Sequence, residues 1–251
     1  MLAEMGVRIW WPAQTPPPQE APATIAEAGP NSPETIKRIA EKARLDSVQI
    51  GKHNISLSEF EAQSLFQIVK MNNCNHFIEL GSLTGYSGIF ILSALVDGGT
   101  LYCFEKDQKW IPQLKENLTA AVQLNENKNK GFEVIAGDAL LNLKEIFNSG
   151  QIVTEKTVLN FPKALDGFFI DANKSAYLEY LNIAMRLLKP GGIIIADNVF
   201  LEGSVWGEET QKFSKKQIEV MRSFNQMICN REHFDSLILD TTDGMIFAKK
   251  K

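Results

Sequence analysis

The chain is short of the residues that build covalent scaffolds and soft-metal centres. Among 251 residues there are three cysteines, Cys74, Cys103 and Cys229. They are odd in number and far apart, which fits neither a paired disulfide framework nor the CxxC spacing of a zinc site, so reduced thiols in a cytoplasmic protein are expected. His53, His76 and His233 are equally scattered and give little support to a histidine-based metal site. No stretch approaches the roughly 18 to 20 apolar residues of a membrane span. Pro12 breaks the only apolar segment near the start, so the APA at 21–23 lacks the continuous centre that a signal peptide needs. Basic surplus is missing as well: Lys+Arg 26 against Asp+Glu 30 gives a formal net charge of -4 with no dense basic stripe. That argues against an extended nucleic-acid footprint, although a short contact to RNA would not need one. The closing Lys249, Lys250 and Lys251 read as a solvated tail.

What is present is an ordinary globular composition, 44% hydrophobic, enough for a sizeable core. Most of the ten prolines fall before residue 31, among Ala, Gln, Thr and Glu, and this opening cannot bury enough apolar surface to offset chain ordering. Residues 1–31 therefore read as a disordered tail and 32–251 as one domain. Order is expected to begin where Ser32 can cap a helix, with Pro33 at its first position and Glu34 in its first turn. A second helix is expected over 57–69, opened by Ser56 or Ser58.

Apolar runs at 76–80, 100–104, 132–136, 167–170 and 192–196 then alternate with helix-compatible stretches. Short continuous apolar strands with helices between them imply a parallel sheet covered on both faces. Lys189-Pro190-Gly191-Gly192 is expected to stop one helix before the fifth strand. A helix around 211–229 and strands near 236–240 and 244–250 follow, and Asp243-Gly244 between the last two signals an antiparallel hairpin. The fold class is α/β: a doubly wound, mostly parallel, seven-stranded sheet with an antiparallel C-terminal hairpin. The stretch 149–165 is a longer connection than that fold needs.

In such a sheet, ligands sit beyond the carboxyl ends of the strands where strand order reverses. The loop after the first strand, FIELGSLTGYSG, carries Gly81, Gly85 and Gly88, which allow close backbone approach and a sharp turn into a helix. Its spacing is GxxxG and not the GxGxxG of dinucleotide enzymes, so alone it is equally a structural turn. Glu105 closes the second strand where a carboxylate would accept from both hydroxyls of a ribose, although alone it reads equally as an exposed acidic residue starting a loop. Gly137-Asp138-Ala139 closes the third, and together these favour a nucleoside ligand.

Strand four, in FFIDANKSAYLEY, ends on Asp171 with Lys174 soon after, and strand five ends on Asp197-Asn198. If the two strands are neighbours, their ends lie about 4.8 Å apart and three oxygen-bearing side chains converge. A hard divalent cation would relieve the repulsion of the carboxylates, and oxygen-only ligation suits Mg²⁺, with Mn²⁺ or Ca²⁺ as other fits. A helix N-cap at Asp171 and a turn at Asp197-Asn198 answer the same pattern without a metal. Lys174 opposes the dipole of the helix it opens, which costs up to about 1 kcal/mol at an exposed site. The same field, with a nearby cation, would suit it as a general base; a solvated surface lysine is the other reading.

The run ELGSLTGYS, FEKD, AGDA, FIDANKSAYLEYL, LLKPGGIIIADNV and DGMIFAKK resembles the successive motifs of the metal-dependent S-adenosylmethionine O-methyltransferases, the group of catechol and caffeoyl-CoA O-methyltransferases. The similarity runs from about Ile55 to Lys250. It implies a Rossmann-like methyltransferase in which Gly81, Leu83, Gly85 and Ser87 line the methionine and ribose of the cofactor and Glu79 supports that turn. Glu105 would hold the ribose, Asp138 and Ala139 the adenine, and Ile55, Ser56 and Leu57 would fold over the methionine end. Asp171 would serve both cofactor and metal, Asp197 and Asn198 the metal, and Lys174 would take the proton of a chelated, catechol-like hydroxyl. A cytoplasmic homodimer acting on a small aromatic acceptor is implied, with no membrane partner. Methylation of a hydroxylated base in transfer RNA, or cofactor binding without catalysis, are the other readings. The chain departs from the family in its Pro-rich start and in FEAQ at 60–63, which lacks the usual glycine before glutamine. Trp206, in LEGSVWGEE at 201–209, would either stack on an aromatic acceptor or pack internally.

Overall fold

The computed structural model describes residues 33–251, apart from 54, 125, 126, 128, 154–157 and 208–211; the expected tail at 1–31 and the Ser32 cap lie outside these. Seven strands form one sheet: β1 (His76–Leu80), β2 (Thr100–Glu105), β3 (Gly131–Ala136), β6 (Leu165–Ile170), β7 (Leu188–Ala196), β8 (Phe234–Leu239) and β9 (Met245–Lys250). Their order is β3-β2-β1-β6-β7-β9-β8, with β9 antiparallel to both neighbours and the rest parallel. The doubly wound sheet and the antiparallel hairpin expected of the sequence are both present.

Each strand feeds two cores because successive side chains point to opposite faces. Ile78, Leu80, Phe168, Ile170, Ile194 and Ala196 pack against α5 (Ala139–Ser149), α6 (Tyr177–Leu187) and α7 (Lys215–Ile228). Phe77, Leu101, Phe169, Ile193 and Ile195 pack against α1 (Pro33–Gln49), α2 (Glu59–Met71), α3 (Tyr86–Ala94) and α4 (Ile111–Val122). Covered on both sides, the central strands need continuous apolar runs, which is why the sequence shows no alternation there.

Three expectations need correction. Lys189-Pro190-Gly191-Gly192 is not a helix-ending loop: α6 stops at Leu187 and β7 begins at Leu188, paired with Leu165, with the register shifting between Leu165 and Gly167. Pro190 has no N–H to give the ladder, so an irregularity there takes up the extra residues. The long connection at 149–165 contains a small antiparallel pair, β4 (Gln151–Val153) with β5 (Val158–Asn160). The terminal lysines are no loose tail. Lys249 and Lys250 belong to β9, and the Lys250 ammonium donates to the carbonyls of Met185 and Leu188 at 2.6 and 2.8 Å.

Two helix starts follow side-chain caps. Ser58 caps α2 in a reciprocal capping box with Glu61, and Ser214 caps α7 in the same way with Gln217.

Candidate active site at the carboxyl edge of the sheet

Strand order reverses between β1 and β6, and both strands release their site residues there. The ladder runs one step past the strands: Asp171 N–H donates to Leu80 O at 3.0 Å and Asp197 N–H to Ile170 O at 3.1 Å. The ends of β1, β6 and β7 are thereby pinned side by side.

The turn after β1 alternates left-handed residues: Gly81 at φ 94°, Leu83 at φ 45° and Gly85 at φ 93°. Gly81 is required by space as well as by torsion, since a Cβ there would stand 2.2 Å from the carbonyl oxygen of Asp171. Leu83 tolerates a conformation that bulky residues avoid because its N–H is held by Glu105 Oε2 at 2.8 Å. Beneath the turn lies Glu79, fully buried, which accepts from the Ser87 hydroxyl at 2.5 Å. Burial pushes its carboxyl up to about 7. Ser87, expected to line the cofactor, thus points its hydroxyl at Glu79.

Glu105 is 7% exposed; its Oε1 accepts from Asp107 N–H at 2.8 Å, so each oxygen keeps one lone pair beyond its backbone contact. Asp138 is the N-cap of α5, accepting from the N–H groups of Leu140 and Leu141 at 3.0 and 3.3 Å. Burial raises its pKa, but the Leu141 N–H, the Lys106 ammonium and the Leu140 N–H outweigh that and hold it below the usual carboxylate range. Ala139 follows it, buried at the start of α5.

Asp171, Lys174, Asp197 and Asn198 converge. Lys174 Nζ donates to Asp171 Oδ1 at 2.8 Å, to Asn198 Oδ1 at 2.8 Å and to the Tyr177 hydroxyl at 2.6 Å. The local cap is supplied by Asn173, whose side chain accepts from Ser175 N–H, so Asp171 is not spent on capping. Lys174 opens a short 3-10 turn, Lys174–Ala176, ahead of α6. Asn198 sits at φ 56°, a left-handed conformation that Asn tolerates better than most residues.

Asp197 is the group in most need of a partner. It is 5% exposed and its Oδ1 is buried with no hydrogen-bond partner. Burial, and then the Asp171 carboxylate, push its carboxyl up to about 8, against the opposing pull of Lys174. A buried oxygen of this kind stands at a cost unless a proton or a cation meets it. Among the described residues no group of three or more His, Cys, Asp or Glu is placed to hold a metal. The donor set here is instead two carboxylates and an amide oxygen, the hard all-oxygen chemistry that suits Mg²⁺.

A cleft of about 1830 Å³ opens beside these groups. Lys174, Asp197 and Asn198 line it together with residues of α1 and with Ile55, Ser56 and Leu57. Gly81, Glu105 and Asp138 are outside its lining, along the neighbouring strand ends. Trp206 does not line the cleft: it is 59% exposed and packs on Phe200 with ring centroids 4.8 Å apart, so Glu202 represents that segment in the lining instead. Sequence reasoning missed Glu61, Thr242 and Asp243, which reach the cleft only through tertiary packing. It also missed Tyr177, although a polar aromatic one helical turn after Lys174 was a usable signal.

A Rossmann-like sheet with an antiparallel strand inserted between its last two positions is the fold of class I methyltransferases. The O-methyltransferase from Bacillus cereus, solved in complex with SAH, superposes with a TM-score of 0.71 over 85% of this chain and 91% of that one, at 26% identity. The chain belongs to the O-methyltransferase family, whose model matches residues 30–251. A catechol O-methyltransferase of Niastella koreensis is 29% identical over 205 residues, covering 80% of this chain and 84% of that protein. Caffeoyl-CoA O-methyltransferase 2 of Petunia hybrida is 28% identical over 227 residues, 88% of this chain and 85% of its own.

Proposed function

We propose that the chain transfers a methyl group from S-adenosylmethionine to a hydroxyl of a small, catechol-like aromatic acceptor, with a divalent cation at Asp171, Asp197 and Asn198. The observation that carries this reading is the unpartnered, buried Asp197 oxygen facing an all-oxygen donor set beside Lys174. Relatives named for catechol and caffeoyl-CoA support the acceptor class.

In this reading Gly81, Leu83 and Gly85 bring backbone to the methionine and ribose of the donor, with Glu79 and Ser87 bracing the turn from below. The remaining lone pairs of Glu105 hold the ribose, Asp138 and Ala139 border the adenine, and Leu57 closes over the methionine end. S-adenosylmethionine would supply an electrophilic methyl on sulfur, and a cation held by Asp171, Asp197 and Asn198 would lower the pKa of the acceptor hydroxyl. Lys174 takes the hydroxyl proton at Nζ. The residues around it contribute mainly alignment of the two reactants. Three unpaired cysteines suit a reducing, cytoplasmic setting.

Methyl transfer measured with and without Mg²⁺, against a catechol panel and bulk RNA, tests the reading. Turnover of a catechol that stops in chelator is expected. Lys174→Ala and Asp171→Ala should abolish turnover while S-adenosylhomocysteine still binds. Wild-type rates in either variant, or in chelator, would sink the mechanism. Transfer to RNA alone would replace the acceptor.

A further inference from the structure

We propose that Tyr177 is the positioning residue that fixes the Lys174 amine for proton removal; this rests on Lys174 being the base, as proposed above. As the ammonium, Lys174 Nζ has three donors and meets three acceptors: Asp171 Oδ1, Asn198 Oδ1 and the Tyr177 hydroxyl; as the base it is the neutral amine, with two N–H donors and a lone pair for the acceptor's proton. Two of the three partners are oxygens assigned to the cation. The phenol oxygen is the partner that the cation site does not claim.

The phenol is held independently of the lysine. Tyr177 is 0% exposed, and its hydroxyl faces the carbonyl of Asp197 at 2.9 Å and that of Ile170 at 3.2 Å. Those carbonyls belong to the ends of β7 and β6, the strands that carry the other site residues. A hydroxyl has one proton to donate, and directing it at these carbonyls turns a lone pair toward Nζ. The ring is locked edge-on against Phe224, with centroids 5.3 Å apart, and lies under the amine at 4.8 Å from its centroid. Lysine has a flexible four-carbon stem, and a rigid aromatic with two torsions is a fitting clamp for it.

Tyr177→Phe removes the oxygen and keeps the ring. In metal-free protein, the rate at which an amine-reactive ester acylates Lys174, read by peptide mass spectrometry, should rise several-fold. In the assay with Mg²⁺, kcat per S-adenosylhomocysteine-binding site should fall by about 10- to 100-fold while acceptor KM stays within about threefold, the scale of a misaligned catalytic group. Unchanged acylation with unchanged kcat would overturn the proposal. So would a fall in binding stoichiometry that accounts for the whole loss of rate, which is the behaviour of a merely structural residue. 3-Fluorotyrosine at position 177 keeps ring and hydroxyl but weakens the oxygen as an acceptor; it should change both readouts less and in the same direction, and no change in either would overturn the proposal. Full activity in Lys174→Ala would remove the base itself. Loss of activity there, with Tyr177→Phe like wild type, removes only this inference.

Discussion

Glu79 is a carboxyl sealed beneath the glycine turn, and its protonation couples to folding. Burial is the largest cause of its rise from the ordinary 4.5 to about 7, and the Asp171 carboxylate adds to it. An acid whose pKa is higher in the fold binds its proton more tightly there, so its contribution is fully present below about 4.5 and is lost as pH climbs through about 7. The melting temperature should therefore decline between about pH 5 and pH 8, and Glu79→Gln should flatten that decline. An unaltered slope in the variant would assign the pH dependence to another group. Lys174 and Asp197 are the residues at which loss of one functional group should remove chemistry without removing the fold.

At the scale of elements, turns and caps decide where the site residues stand. Gly81→Ala would drive a Cβ to 2.2 Å from Asp171 O, on a backbone at φ 94°. The change should destabilise by more than about 1 kcal/mol and disturb β1 and β6 ends together, because the turn and Asp171 cannot both keep their places. Urea unfolding and S-adenosylhomocysteine titration check this; donor affinity close to wild type would contradict it. Ser58→Ala removes the α2 cap, in which Ser58 Oγ accepts from Glu61 N–H at 3.3 Å and Glu61 Oε2 from Ser58 N–H at 2.7 Å. A loss of about 1 kcal/mol is expected by urea unfolding. A third tie joins α1 to the site: buried Asn117 on α4 donates to Asp46 Oδ2 on α1 and to Thr84 O in the glycine turn, both at 2.9 Å.

At the scale of the whole molecule, the metal binding proposed above would be tied to pH and stability. Asp197, held up to about 8 chiefly by burial, must lose its proton before it can ligate a cation. Stabilisation by millimolar Mg²⁺ should accordingly be larger at about pH 8.5 than at about pH 6, and Asp197→Asn should level the two. Thermal melts at both pH values check this, and an equal shift in wild type would argue against Asp197 as a ligand. Much of the architecture was legible in the sequence. The apolar runs marked five parallel strands because a sheet covered on both faces leaves few polar positions, and Asp243-Gly244 marked the hairpin. KPGG misled because turn chemistry reads the same in a loop and in a bulged strand. Trp206 was ambiguous because an aromatic side chain carries no label for the surface it will meet.

By itself the sequence determined the order and type of the strands, the glycine turn and the identity of the polar residues at the strand ends, since these follow from local periodicity and from residue chemistry. Only the tertiary structure decided that the Asp171 carbonyl closes over Gly81, that Lys174 lies between Asp171 and Asn198, and that Asp197 is left with a bare buried oxygen. It also decided that Glu61 and Asp243 face the same cleft from opposite ends of the chain. These are relations between segments distant in sequence, set by how the strands pair and how the helices pack, and no local pattern carries them.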